Sequence, residues 1–151
     1  MIDKKVIGVK SYKFILLETI GFVVGLILTI LFLYDYSRTS REICLLFGIV
    51  TLVSVIFVAY LLIKFLIKPK NTVEVDGKGV YLNFSKKKVI YILFRDIDNV
   101  YGDKISAWNA NYEFGILYIF VKNKRYKIGV INDIKETEKY IYSKIVWKFK
   151  N

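Results

Sequence analysis

The sequence predicts a membrane α-helical hairpin followed by a small α+β domain. Two apolar runs, 14–34 and 43–67, are each long enough to cross a hydrocarbon core about 30 Å thick at about 1.5 Å per residue. Charged residues make up 25% of the chain, and they concentrate outside these runs. Beyond residue 71 the apolar residues alternate with polar ones, which is typical of β-strands. The chain is therefore divided into an apolar half and a polar half, as expected for a membrane anchor joined to a domain.

The two runs define the organisation of the first half. We expect a polar N-terminal segment at 1–13, transmembrane helices at 14–34 and 43–67, and an extracytoplasmic loop at 35–42. Lysines precede the first helix and follow the second, whereas the loop offers only Arg38 and Arg41. The positive-inside rule then predicts that both termini are cytoplasmic. Abundant Lys, Ile, Asn and Tyr are typical of an AT-rich genome and favour a bacterial origin. Together with the two apolar runs, they favour a bacterial cytoplasmic membrane as the location.

One acidic residue, Glu18, interrupts the first apolar run. A carboxylate at the bilayer centre costs about 2.5–3.5 kcal/mol on insertion scales, and less near a helix end. The side chain either reaches the interface or is protonated, or else it has a partner on the second helix. In an antiparallel hairpin the candidates for that contact are Tyr60 and Lys64.

A G-x-x-x-G step, Gly21 and Gly25, lies in the same run. Small residues at this spacing let transmembrane helices approach closely. The pair is predicted to support helix packing, either within the hairpin or between two copies of the chain.

The second half is predicted to contain six or seven short strands and one C-terminal helix. Pro69 cannot continue a helix, so the domain is expected to span 71–151. A loop is expected at 106–111, and Ile97 and Val100 are expected to face inward. The helix should begin after Asn132 or Asp133, with Thr137 off its apolar face. The predicted strands cover 72–76, 80–84, 89–94, a segment beginning at 96, 113–121 and 125–131.

These stretches resemble the bacterial PH-like domain proteins. The resemblance rests on Val75-Asp76-Gly77-Lys78-Gly79-Val80, on Phe94-Arg95-Asp96-Ile97-Asp98-Asn99-Val100, and on Ile131-Asn132-Asp133-Ile134-Lys135-Glu136-Thr137. It implies a partly open antiparallel β-barrel or sandwich, with one end closed by the C-terminal helix. Some members of that family are associated with bacteriocin self-immunity, and others with the cell envelope.

Composition excludes several kinds of chemistry. Histidine is absent and Cys44 is the one cysteine, so neither a Cys/His zinc site nor a His-activated nucleophile can be built within the chain. Gly77-Lys78-Gly79 is too short for a phosphate-binding loop, and Asp96, Asp98 and Asp103 lack the spacing of an EF-hand. We therefore expect no catalytic site, no metal and no cofactor.

The net charge of +11 directs attention to anionic partners. Because many lysines flank the apolar runs, lipid headgroups are favoured over nucleic acid. The strongest candidates are Lys86, Lys87 and Lys88 on a predicted hairpin turn, with Lys68 and Lys70 beside the second helix. The alternative is that the turn lysines only keep the sheet soluble and discourage edge pairing.

Three aromatic residues are candidates for a partner interface. Trp108 lies in the predicted 106–111 loop, and Trp147 and Phe149 alternate with lysines near the C-terminus. Each can instead pack locally, Trp108 in the core and the other two at a helix end.

Together these features predict a non-enzymatic binding or scaffold module at the cytoplasmic membrane surface. Its expected partners are membrane lipids, a protein, or a second copy of the chain through the transmembrane helices, and not nucleic acid. The alternative function, which comes from the resemblance, is a self-immunity protein that protects the producing cell from a bacteriocin.

Overall fold

The structure is a computed structural model that describes residues 4–107 and 110–147, with side chains for 4–106 and 111–146. The chain divides into two compact units. Residues 14–67 form a helical unit. The residues up to 13 and those from 68 onward form a second unit, which we call the β unit.

The helical unit contains α1 (Tyr12–Thr39) and α2 (Glu42–Leu66). Both helices are long and apolar enough to cross a membrane. Only 6% and 11% of the residues in their most apolar windows are buried. A helix that is apolar on all sides and remains uncovered needs an apolar environment. The helices therefore have the properties of membrane-spanning segments.

The connection between the helices is shorter than the predicted 35–42 loop. Helix α1 continues to Thr39, and Ser40 reverses the chain in the left-handed backbone region (φ 51°). Two side-chain hydroxyls explain the extension, because Ser37 Oγ donates to the Tyr34 carbonyl and Thr39 Oγ1 to the Asp35 carbonyl. Polar residues that hydrogen-bond within their own helical turn need not end the helix.

Four strands form the first sheet of the β unit, in the order β1-β2-β3-β4. They are β1 (Lys5–Val9), β2 (Asn71–Val75), β3 (Gly79–Ser85) and β4 (Lys88–Leu93). Strand β1 lies in the segment 1–13, for which the sequence pattern predicts no strand. It pairs antiparallel with β2, so that Lys5 faces Val75 and Val9 faces Asn71. The helical hairpin is thus inserted in the sequence between two neighbouring strands of one sheet.

A second sheet, in the order β5-β6-β7, follows a short 3-10 helix at Phe94–Asp96. The strand predicted to begin at 96 starts only at Asn99. The predicted 106–111 loop is also corrected, because one strand continues to Ala107 and the next begins at Ala110. Residues 108–109 lie outside the described structure. Helix α3 follows the last strand. The elements are β5 (Asn99–Ala107), β6 (Ala110–Val121), β7 (Lys124–Ile131) and α3 (Ile134–Trp147).

The core lies between the two sheets and α3. Ile97 and Val100 are buried, which confirms their predicted inward orientation. Thr137 is also buried, contrary to the prediction, because its hydroxyl donates to the Ile7 carbonyl of the unpredicted strand at 2.9 Å. The most deeply buried apolar residues are Val73, Val80, Leu82, Leu117, Ile119, Ile128, Ile131, Ile134 and Ile141.

The two sheets meet where β1 reaches β7. Lys10 forms a bridge with Ile131, and the Ser11 amide donates to the Val130 carbonyl at 3.1 Å. The Asn132 amide donates to the Val9 carbonyl at 2.9 Å. Strand β1 therefore connects both sheets, although it precedes the rest of the unit by the whole hairpin.

Candidate functional site

The predicted lysine turn is a tight hairpin connection between β3 and β4. Ser85 pairs with Lys88, which leaves Lys86 and Lys87 as the turn residues. The Ser85 hydroxyl accepts hydrogen bonds from the Lys87 amide at 3.3 Å and the Lys88 amide at 3.1 Å. Lys88 Nζ lies 5.7 Å from the ring centroid of Phe84. All three lysines are exposed, so a fixed backbone presents three cations to the surroundings.

Strand register shows which end of the sheet carries this turn. Asn71 begins β2, and its carbonyl accepts a hydrogen bond from Asn83 Nδ2 at 2.9 Å. At about 3.3 Å per residue, the turn lies about 7–10 Å beyond Asn71 along the strand direction. Asn71 also faces Val9, the last residue of β1. The turn therefore projects from the end of the sheet where the chain leaves for α1 and returns from α2.

Further lysines lie at that end. The Lys10 amide donates to the Lys70 carbonyl at 2.9 Å, and Lys10 Nζ donates to the Lys68 carbonyl at 3.0 Å. Lys70 is exposed and Lys68 is half-buried, with its Nζ above Gly129. We call this set the lysine end: Lys10, Lys68, Lys70, Lys86, Lys87 and Lys88.

The opposite end of the first sheet is held by a carboxylate. Asp76 accepts hydrogen bonds from the Lys78 and Gly79 amides at 2.8 and 2.7 Å. The hydroxyls of Tyr81 and Tyr91 donate to it at 2.9 and 3.2 Å. Burial acts to raise the pKa of Asp76, but these hydrogen bonds outweigh it and lower that pKa below its usual value. Asp76 is therefore an acceptor of four hydrogen bonds that fixes the β2–β3 turn.

The outer face of the second sheet carries a row that the sequence analysis missed. Tyr101 pairs with Tyr118 across β5 and β6, and Tyr118 pairs with Lys127 across β6 and β7. Lys135 Nζ lies 5.1 Å from the Tyr101 ring centroid. Arg125 Cζ and Lys127 Nζ lie 5.3 and 5.9 Å from that of Tyr118. These residues come from β5, β6, β7 and α3, so they become neighbours only when the strands pair and the helix packs. We call these five residues the tyrosine–cation row.

The structure brings together Tyr60 and Lys64, the two candidate partners of Glu18. Lys64 Nζ lies 5.7 Å from the ring centroid of Tyr60. Within residues 4–106 and 111–146, no hydrogen bond or ion pair joins Glu18 to either of them. The predicted contact of Glu18 with Tyr60 or Lys64 is thus not made by a hydrogen bond or an ion pair among the described side chains.

The two predicted packing glycines have different surroundings. A Cβ on Gly25 would lie 2.7 Å from Val55 Cγ2, whereas a Cβ on Gly21 would meet nothing within 4 Å. Gly48 on α2 resembles Gly25 in this respect, since a Cβ there would lie 2.7 Å from Leu33 Cδ2. Gly25 therefore lets the two helices approach, and Gly21 lies on an uncovered surface.

This difference gives a matched pair of variants. Gly25→Val is expected to destabilise the hairpin by about 1–3 kcal/mol, because the added side chain overlaps Val55 in a packed contact. Gly21→Val, on the same helix, is expected to leave that stability unchanged. Thermal unfolding in detergent micelles measures both. A change of oligomeric state in Gly21→Val alone would instead assign that glycine to contacts between chains.

The three aromatic candidates lie beyond what the structure describes. Trp108 and Phe149 are outside the described residues, and Trp147 ends α3 without a described side chain. Among the described residues, no three His, Cys, Asp or Glu side chains are grouped so that they could hold a metal ion.

Comparisons with known proteins give no relative from which a function could be transferred. No protein-family model, no curated protein and no solved structure matches the chain. The features that bear on function are therefore the uncovered apolar helices, the lysine end and the tyrosine–cation row.

Proposed function

We propose that this protein is a non-enzymatic, membrane-anchored binding module of a bacterial cytoplasmic membrane. The helical hairpin is the anchor, and the β unit is a PH-like domain held at the cytoplasmic surface as a scaffold for a lipid or protein partner. The observation that carries the proposal is the lysine end, because it collects six cations where the chain passes into two apolar helices.

The anchor is supported by the uncovered surfaces of α1 and α2. Burying one Leu, Ile, Val or Phe side chain contributes about 1.5–3 kcal/mol. Most such residues on these helices are left exposed by the protein itself, among them Leu16, Ile30 and Phe57. A bilayer supplies the missing apolar environment, and helices of 28 and 25 residues are long enough to cross it.

The two-helix topology is supported by the pairing of β1 with β2. Lys10 and Lys70 are hydrogen-bonded neighbours in the β unit, although one precedes α1 and the other follows α2. A hairpin whose two ends are joined in this way leaves and returns on one side of a membrane. The lysines at these ends favour the cytoplasmic side.

The PH-like assignment is supported by the composition of the β unit. A four-stranded and a three-stranded antiparallel sheet enclose a common core, and one C-terminal helix packs on it. These elements are compatible with the partly open antiparallel barrel, closed at one end by a helix, that the sequence resemblance implies. The hairpin then occupies the connection between the first two strands.

Headgroup contact follows from the short tether. Only four residues separate the end of α2 from the start of β2, and they can span at most about 14 Å. The lysine end therefore stays near the headgroups if the helices span the bilayer. Each lysine near an anionic surface contributes about 1 kcal/mol.

Lysine reactivity in nanodiscs tests the proposal on the full chain. Nanodiscs of phosphatidylcholine alone are compared with nanodiscs that also contain phosphatidylglycerol, and acylation of each lysine is read by mass spectrometry. Lys86 and Lys87 are expected to be protected in the anionic discs, because paired ammonium groups react slowly. Lys122 and Lys124, at the opposite end of the β unit, serve as internal controls and are expected to react equally in both.

A variant series then measures the contribution of the turn. Replacing Lys86, Lys87 and Lys88 by Gln removes about 3 kcal/mol of attraction, which is about a hundredfold in preference for anionic lipid. Energy transfer from the labelled β unit to labelled phosphatidylglycerol reports that preference. The variant Lys122→Gln, Lys124→Gln, Arg125→Gln removes the same charge elsewhere. Equal losses in both variants, or equal protection of all lysines, would contradict a role for the lysine end.

A further inference from the structure

The tyrosine–cation row presents unpaired positive charge on a rigid surface. Arg125 and Lys127 are exposed, and within the part of the chain that the structure describes neither forms an ion pair. Lys135 forms an ion pair with Glu138, whose Oε2 lies 2.7 Å from Lys135 Nζ. Asp103 lies two residues from Tyr101 on β5 and is the nearest other acid along that strand. Positive charge therefore dominates the β7 side of the face.

The row has a neighbouring groove that would admit a side chain. It has a volume of about 470 Å³ and lies between β5 and α3, with Tyr101 and Lys135 in its lining. Lys139, Tyr142 and Glu138 also line it, so an apolar side chain fits this groove better than a second carboxylate does. A ligand on the row could thus extend into a partly apolar site that also carries a cation.

The position of the row disfavours a lipid ligand. Lys127 precedes Ile131 by four residues on β7, and Ile131 contacts Lys10 at the lysine end. Four residues of strand cover about 13 Å. This separation exceeds the screening length of about 8 Å at physiological salt, so headgroups bound at the lysine end interact only weakly with Lys127 and Arg125.

The tyrosines disfavour stacked nucleobases. A cation already lies within 6 Å of each ring centroid, with Lys135 at Tyr101 and both Arg125 and Lys127 at Tyr118. These contacts occupy ring surface that a base would need. They also hold the ammonium and guanidinium groups in place while their remaining N–H donors stay available. Carboxylates are suitable acceptors for such donors.

We propose that the tyrosine–cation row binds an acidic peptide segment of a protein partner. Carboxylates of the segment contact Arg125, Lys127 and Lys135, and one of its apolar side chains enters the groove beside Tyr101. This inference rests on the proposed function, because it names the class of protein partner that the membrane-anchored module would hold beside the membrane.

A labelled hexaglutamate peptide tests the site on the full chain in phosphatidylcholine nanodiscs. Fluorescence anisotropy measures its affinity, with hexaglutamine as the neutral control and oligothymidine as the nucleic-acid probe. Replacing Arg125, Lys127 and Lys135 by Gln is expected to weaken hexaglutamate binding about tenfold, since exposed ion pairs contribute about 0.2–1 kcal/mol each. The variant Lys78→Gln, Lys122→Gln, Lys124→Gln loses equal charge at exposed positions outside both the row and the lysine end, and it is expected to bind nearly as well as the unaltered chain.

Each outcome of that experiment is decisive. Equal weakening in both triple variants would show attraction by net charge alone and would overturn the site, as would tighter binding of oligothymidine than of hexaglutamate. If the row variant does not fold, Lys127→Gln alone is expected to weaken binding by about two- to fivefold. The two proposals can also fail separately. If Lys86 and Lys87 of the unaltered chain show no protection in anionic nanodiscs but hexaglutamate still binds, the lysine-end function is refuted and the peptide site is not.

Discussion

A fragment that begins at Asn71 is expected not to fold, whereas a chain that bypasses the helical hairpin is expected to fold. The reason is that Gly8 of β1 lies directly against Val73 and Ile131, which are both 0% exposed. Burial of such side chains contributes about 1.5–3 kcal/mol each. Strand β1 also accepts hydrogen bonds from Thr72, Asn132 and Thr137. Losing these contributions removes a large part of a stability that is typically about 5–15 kcal/mol.

Two proteins test this expectation. One contains residues 71–151 only, and the other joins Ser11 to Lys68 through a short Gly-Asn linker. The linker replaces a long insertion by a hairpin turn, because Lys10 and Lys70 are already hydrogen-bonded. Urea unfolding, followed by circular dichroism, should show a cooperative transition only for the joined chain. A cooperative transition with the same midpoint for the 71–151 fragment would refute the structural role of β1.

Gly115→Ala is expected to be the most damaging single methyl addition in the second sheet. A Cβ at this position would lie 2.1 Å from the Asp103 carbonyl oxygen and 2.9 Å from its carbonyl carbon. Both are backbone atoms of the paired strand, so they cannot move without disturbing the ladder between β5 and β6. Overpacking of this kind costs about 1–3 kcal/mol, and more where the backbone must shift.

Gly77→Ala is the matched control. A Cβ there would meet nothing within 4 Å, and the glycine lies in the exposed β2–β3 turn. The change is expected to leave stability within about 0.5 kcal/mol of the unaltered chain. Thermal unfolding of the joined chain compares the two variants directly. Similar transition temperatures for both would show that the second sheet tolerates a side chain at Gly115.

One candidate surface can be recognised from a contiguous stretch of sequence, whereas the other depends on strand pairing between distant segments. Lys86, Lys87 and Lys88 are consecutive, so the sequence alone identified them as a charged turn. Their position beside Lys68 and Lys70 depends on the register of β2 and β3. The tyrosine–cation row had no contiguous signal, because Tyr101, Tyr118 and Lys127 come from three strands that only pairing makes adjacent.

Sequence by itself determined the elements whose pattern is local. The apolar length of α1 and α2, the alternation in β3, β4, β6 and β7, and the helical spacing of Ile134, Ile141 and Ile145 all lie within single segments. Such periodicity predicts an element because each residue's environment repeats along it.

Only the tertiary structure decided which strand β1 pairs with and which side chains it buries. Lys5–Val9 is short, and its pairing residues lie beyond the whole hairpin, with Lys5 opposite Val75. Contacts between residues so distant in sequence leave no local periodicity. The same strand explains why Thr137 is buried on α3, since its hydroxyl needs the Ile7 carbonyl. The ends of the hairpin and the lysine end are therefore fixed by long-range pairing, on which the sequence pattern carries no information.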